Sequence, residues 1–250
     1  TSLSDLLLAL GYPDQSLHRA YEAVKAVSRE SDPFSYAMAL VSAVQAHCFR
    51  HEAAKAVELC NELINLCTEH GFPYWLGIAQ NSLGWAMVLQ GRVQEGIAIM
   101  NEQLDQVDEA DPELRQFNLL PILAEAYGDL GEFDKGLAAL EKWLAVRNRY
   151  SATGIDRLYC RVRGELLMKA GSIEEAEESL RKSIQLSAGQ SAKLEQLRAT
   201  TRLARLLAGR GQRQEARAML AEVYNSFTEG LDTADLKDAK ALLDELNGTV

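Results

Sequence analysis

Four stretches of this chain read alike: Gly91-Arg-Val-Gln-Glu-Gly96, Gly131-Glu-Phe-Asp-Lys-Gly136, Gly171-Ser-Ile-Glu-Glu-Ala176 and Gly211-Gln-Arg-Gln-Glu-Ala216. Each begins 40 residues after the last, and the column extends upstream to His51 and Gly11. Glycine suits the left-handed C′ position that closes a helix, and the short polar stretch after it, helped by Asp14 or Ser172 in some rows, opens the next. Each row is therefore expected to be a pair of helices.

Two further columns support this. Five residues after the turn stand Ser16, Ala56, Gly96, Gly136, Ala176 and Ala216; seven before it stand Ser4, Val44, Gly84, Ala124, Gly164 and Ala204. Small residues at one point on each helix let antiparallel backbones approach, while Met100, Leu140, Leu180 and Leu220 on the second helix, and Leu83, Leu123 and Leu203 on the first, supply apolar filling. Arg163 breaks the latter column. Pro33, Pro73 and Pro112 mark first-helix starts, with Asp32 and Asp111 as N-caps. Pro121 falls inside a first helix and is expected to kink it or shift its start.

The fold class is accordingly all-α: an α-α superhelix of about six helix-turn-helix repeats with a 40-residue period. The expected domain is one solenoid, 1–250, with repeats at about 1–31, 32–71, 72–110, 111–151, 152–190 and 191–230. A helix over 233–247, opened by Thr233, would cap the stack. Thr1 rather than Met, with a half-length first helical segment, suggests a piece of a longer protein.

Bulk composition narrows the function. A hydrophobic fraction of 47% and a charged fraction of 25% fit a soluble globular chain. A net charge of −10 argues against nucleic acid as a partner, because phosphate binding needs clustered Lys and Arg. No apolar run approaches the roughly 20 residues of a membrane span, so a cytoplasmic location is expected and no membrane partner. The 4 cysteines (Cys48, Cys60, Cys67, Cys160) lie in apolar helical segments, as reduced buried thiols would.

Chemistry is sparse. The chain has no Gly-x4-Gly-Lys-Ser/Thr loop, no Gly-x-Gly-x-x-Gly and no Gly-x-Ser-x-Gly elbow, and no cofactor or catalytic residue is expected. His47 and His51 are one turn apart near Cys60 and Cys67, a spacing compatible with zinc. The rows instead put His47 in a packed column and His51 in the turn, so they should point differently and no metal site is expected. The Glu174, Glu175, Glu177, Glu178 run reads as a solvated helix start favoured by the macrodipole.

The same columns resemble the tetratricopeptide family. The fourth row gives Leu120, Leu123, Ala124, Tyr127, Gly136, Leu140 and Trp143, and the third gives Leu83, Gly84, Met87, Gly96 and Met100. The likeness runs from about Ser4 to Phe227. The family repeat is about 34 residues, shorter than this one, and HEAT repeats, at about 40 to 47, are the structural runner-up. The last third, from Glu195 through Leu207 and from Phe227 through Leu243, is also similar to the tetratricopeptide tails of large bacterial signalling proteins carrying a cyclase or winged-helix domain and an ATPase. Gly71-Phe-Pro-Tyr-Trp75 and Leu83-Gly-Trp-Ala86 look like that region too.

The family resemblance implies that first helices line a concave groove. Carried onto these rows, the groove residues are Gln45, Asn81, Trp85, Glu125, Gly128, Arg161, Glu165, Thr201 and Arg205, joined by Asp129, Lys169 and Arg198. Such polar residues around one Trp suit an extended peptide or protein partner. The expected function is a non-catalytic interaction scaffold; the alternative is a self-association module, a homo-oligomer that brings attached cyclase or ATPase domains together, motivated by acidic, Leu-rich ends.

Overall fold

The computed structural model describes residues 3–105, 112–150 and 156–248. Among them are thirteen helices and no strand. Six successive pairs are α1 (Leu3–Ala9) with α2 (Pro13–Ala26), α3 (Pro33–Phe49) with α4 (Ala53–His70), α5 (Pro73–Leu89) with α6 (Val93–Asp105), α7 (Pro112–Asp129) with α8 (Phe133–Tyr150), α9 (Asp156–Lys169) with α10 (Ile173–Gly189), and α11 (Lys193–Gly209) with α12 (Arg213–Tyr224). A last helix, α13 (Ala234–Asn247), follows.

The turn column behaves as its glycines require. Gly11, Gly91, Gly131, Gly171 and Gly211 have φ between 76° and 90°, and His51 joins them at 59°. At each, the next N–H bonds the carbonyl five residues back: Tyr12 to Leu7, Glu52 to His47, Arg92 to Met87, Glu132 to Tyr127, Ser172 to Leu167, Gln212 to Leu207. This is the bond that closes a helix and reverses the chain. The second helix then starts without a side-chain cap. Ser172 precedes α10 but makes no side-chain capping bond. Asp14, expected to open a helix, lies inside the first turn of α2 and faces elsewhere.

First helices start as the prolines suggest. Pro33, Pro73 and Pro112 are first residues of α3, α5 and α7, and Pro13 is the first of α2. The Asp32 carboxylate accepts from the Ser35 N–H at 3.0 Å. Asp111 lies outside the described residues. Pro121 does not move the start of its helix: α7 runs through it.

The two small columns meet within each pair. A Cβ on Gly96 would lie 2.5 Å from the Gly84 carbonyl oxygen, and one on Gly136 would lie 3.0 Å from that of Ala124. In the first pair Ser4 Oγ reaches the Ser16 carbonyl at 3.0 Å. Only glycine or a small residue admits this approach. Around it Met100, Leu140, Leu180, Leu220, Leu123 and Leu203 are fully buried. Arg163, where that last column breaks, donates to Ser179 Oγ at 2.6 Å and pairs with Glu175 at 3.0 Å.

The backbones of odd-numbered helices approach one another in sequence, α1 to α3, then on through α5, α7, α9 and α11 to α13, whereas among the described residues those of even-numbered helices do not, and α10 reaches α12 through the long side chains of Arg181 and Glu215, paired at 2.9 Å. The layer whose backbones approach is the inner side of a curve, so the odd helices form the concave wall. The curve closes on itself, for α1 also packs against α11. All four cysteines are buried and free; burial pushes the Cys60 thiol up to about 12. No described helix is long and apolar enough to cross a membrane.

Candidate functional site

Taken in register, the position after each small residue on the wall holds Gln45, Trp85, Glu125, Glu165 and Arg205. All five keep solvent-accessible surface. The position three before it holds Val41, Asn81, Pro121, Arg161 and Thr201, and of these only Asn81 is not buried. That column lies between consecutive inner helices rather than toward the concavity. Thr201 therefore does not line a groove: it is 2% exposed and its hydroxyl donates to the Leu197 carbonyl one turn back. Gly128 is also buried, its α-carbon facing the Leu166 side chain of α9.

Arg161 is buried in that same column, yet its long side chain brings the guanidinium to the wall. Nη2 binds Glu125 of α7 at 2.7 Å, Nη1 binds Glu165 of α9 at 2.7 Å, and Nε binds Glu195 of α11 at 2.8 Å. One cation thus ties three inner helices together. Burial alone would raise the Glu165 carboxyl; the Arg161 and Arg202 guanidiniums outweigh it and hold that carboxyl below the usual range. Burial dominates at Glu125, which sits above that range despite Arg161.

The network continues in both directions. Lys169 meets Asp129, the acid 40 residues earlier, at 2.6 Å. Arg198 pairs with Asp235 of α13 at 2.8 Å, Arg202 joins Glu165 and Asp238 at 3.5 and 3.4 Å, and Arg205 also binds Asp238. Burial would raise Asp235, but Arg198 prevails and holds it below the ordinary aspartate value. The structure thus brings Glu125, Asp129, Arg161, Glu165, Lys169, Arg198 and Arg205 into one ionic stripe across α7, α9, α11 and α13. Gln45, Asn81 and Trp85 lie apart from it, half-buried on α3 and α5.

That other end is aromatic and amide-rich. Trp85 packs edge-to-face on Phe49, ring centroids 4.8 Å apart. The Asn81 Oδ1 is buried with no hydrogen-bond partner among the described residues. Sequence reasoning missed Phe49, Glu195, Arg202, Asp235 and Asp238. Phe49 and Arg202 stand on the wall helices at fixed offsets and were open to the column argument; the two aspartates lie on a helix that leaves the 40-residue register.

The two histidines face different neighbours. His47 Nδ1 bonds Glu52 and Nε2 meets the Tyr21 hydroxyl at 2.9 Å. Since a carboxylate only accepts, Nδ1 carries the proton and Nε2 receives the Tyr21 O–H. His51 lies by Arg198, and burial with that cation lowers its pKa. Among the described residues no group of three or more His, Cys, Asp or Glu is placed to hold a metal.

Models of the tetratricopeptide repeat match residues 160–190, 122–142 and 197–222. These stretches fall on three successive pairs, α7–α8, α9–α10 and α11–α12, which are similar to tetratricopeptide repeats. Solved structures share the fold. NprR in complex with its cognate peptide NprX is 14% identical, with 98% of this chain and 68% of that one covered and a TM-score of 0.67. BtubC (BKLC) from P. vanneervenii is 14% identical, with 100% and 94% covered and a TM-score of 0.56. No curated protein matches the sequence. The likeness to tails of cyclase and ATPase proteins is not among the things these comparisons show.

Proposed function

We propose that the chain is one solenoid whose concave wall docks a peptide or an extended segment of a protein partner, without catalysing a reaction. The observation that carries this reading is the grouping, on one concave layer, of accessible polar side chains with a half-buried Trp. The same fold in NprR, solved with a bound peptide, supports it. A cytoplasmic setting and attachment to a larger signalling protein belong to the same proposal, on the resemblance of residues 195–243.

The test is selection of random peptides displayed on phage against the immobilised chain. Selected peptides should lose affinity when the wall is changed by Asn81→Ala or Trp85→Ala. Peptides that bind both variants as well as the parent would remove the wall from the account. Arg161→Ala is a poor probe here, since it strands three carboxylates.

One observation favours self-association as a second reading. Leu3, Leu6 and Leu10 on and just after α1 are 57%, 51% and 38% exposed, an apolar row on one side of the helix. Analytical ultracentrifugation decides: a chain that remains monomeric at high concentration, and equally so as Leu6→Asp, excludes it.

A further inference from the structure

The superhelix ends against its own beginning. The connection between α12 and α13 lies on the N-terminus of α2, more than 200 residues away in sequence. Glu229 Oε1 accepts from the backbone N–H groups of Asp14 and Gln15 at 2.9 and 3.0 Å, and Oε2 accepts from the Gln15 side-chain amide at 2.9 Å. In return Asp14 Oδ2 accepts from the Gly230 N–H at 2.9 Å.

This exchange takes the place of a local cap. Tyr12, the residue before α2, makes no side-chain capping bond, and Pro13 has no N–H to give, so the first free donors of the helix are those of Asp14 and Gln15. Glu229 fills the place that a Ser or Asp cap would take, with its charge toward the positive end of the helix dipole. Apolar contacts fix the register. Pro13 seats so closely on Gly230 that a Cβ there would lie 2.1 Å from the proline ring, and a Cβ on Gly11 would lie 3.0 Å from the buried Phe227 ring.

A second seam runs through the wall itself. Arg50, buried at the end of α3, binds Asp14 at 2.7 Å and Asp232 at 3.5 Å. Arg198 of α11 donates to the Phe49 carbonyl of α3 at 3.0 Å, its guanidinium 5.8 Å from the Phe49 ring, while holding Asp235. Phe49, Arg198 and Asp235 thus belong both to the candidate docking surface and to the contact that shuts the curve.

We propose that residues Phe227–Asp235 form a strap that holds the superhelix closed, and that releasing it opens the concave wall to a partner. The inference rests on reading that wall as the docking surface. Each repeat contacts its neighbours, so the array bends by small rotations at every junction, and the strap holds its two ends together beside the direct packing of α1 on α11 and the Arg198 bond to the Phe49 carbonyl. Its bonds are polar and partly exposed, hence individually weak and screened by salt. The strap is closed at rest yet within reach of thermal opening.

The test needs no partner. In a Gln45→Cys background, the rate of modification by a bulky polyethylene-glycol maleimide reports access to the wall, the four native cysteines being buried. Adding Glu229→Ala should raise that rate by about five- to tenfold, the worth of one lost helix cap. It should also speed amide exchange at Asp14 and Gln15. Glu229→Gln, which retains an oxygen for both N–H groups, should restore most of the protection. In the unmodified strap, raising salt should accelerate labelling. Faster exchange at Asp14 and Gln15 with unchanged labelling would overturn the proposal, as would unchanged exchange. A wall that opens on strap release but selects no peptide refutes docking and leaves the strap standing.

Discussion

Replacing Arg161 by Met removes the charge that joins α7, α9 and α11 while nearly keeping the volume of the side chain. Three carboxylates at 2.7 to 2.8 Å then lose their common cation. Stranding one side of a buried ion pair costs about 3–5 kcal/mol. Here the loss is softened: Glu125 keeps 38% of its side-chain surface exposed, Glu165 retains Arg202 at 3.5 Å, and Glu195 retains Arg198 at 3.7 Å. The expected destabilisation is about 2–4 kcal/mol, or a fall of about 5–15 °C in thermal midpoint for a chain of this size. Its pH dependence identifies the cause. In the parent, the depressed Glu165 carboxyl contributes stability above its ordinary titration range, lost as pH falls through its folded value. In the variant the crowded carboxylates repel, so the deficit is present at neutral pH and fades as protonation relieves them. Urea unfolding of both proteins between pH 7 and pH 4.5 measures the gap. A loss below about 1 kcal/mol at neutral pH, or one that does not shrink on acidification, refutes the account.

Close helix approach predicts that Gly96→Ala costs about 1–3 kcal/mol, because its Cβ would meet the Gly84 carbonyl oxygen at 2.5 Å and Val88 Cγ2 at 2.7 Å. Gly91→Ala, with φ of 82° but open space around it, should cost about 1–2 kcal/mol from backbone strain alone; urea midpoints measure both, and a Val88→Ala background should leave most of the Gly96→Ala cost in place, since the nearest atom is the Gly84 backbone oxygen. Burial lowers the His47 pKa, Glu52 opposing it, so folding favours the neutral ring. The stability that His47 contributes is complete above its unfolded value near 6.5 and declines as pH falls below it toward the folded value. Thermal midpoints between pH 7.5 and 5.5 should drop more steeply for the parent than for His47→Gln; parallel curves would contradict the assignment.

The fold was legible because its determinants are local and repeat. A left-handed turn, a proline at a helix start and a small residue where backbones cross each act within a few residues, and a fixed period prints them in columns. The wall was legible only where a side chain obeys the column. Glu125 and Glu165 do, and Asp129 and Lys169 pair across one full period. Thr201 shows the limit: its polarity suggested the groove, but its column faces the neighbouring helix. Arg161 occupies the same column and reaches the wall only through its length, a distinction of side-chain geometry rather than register. Least legible were Glu229 and Gly230, whose partners lie more than 200 residues upstream. Their meeting depends on the summed curvature of every repeat between them, which no single column encodes.

The wall's charges already satisfy one another, and this bears on where a partner would be held. A ligand binding over α7 to α13 must displace Arg161, Arg198 or Lys169 from carboxylates at 2.6 to 2.8 Å, exchanging one ion pair for another with small net gain. Over α3 and α5 no ion pair need be displaced: Trp85 offers half-buried aromatic surface against Phe49, beside the accessible Gln45 amide. A partly buried indole is where an apolar side chain of a peptide gains most. Peptides selected on the chain should therefore lose about tenfold or more in affinity with Trp85→Ala, the scale of an aromatic anchor, and much less with Arg205→Ala. Raising salt should not weaken their affinity, because the ionic stripe supplies orientation rather than attachment and salt also loosens the strap. Isothermal titration across a salt series reads both quantities at once; a steep salt dependence with an indifferent Trp85→Ala would move the anchor to the charged helices.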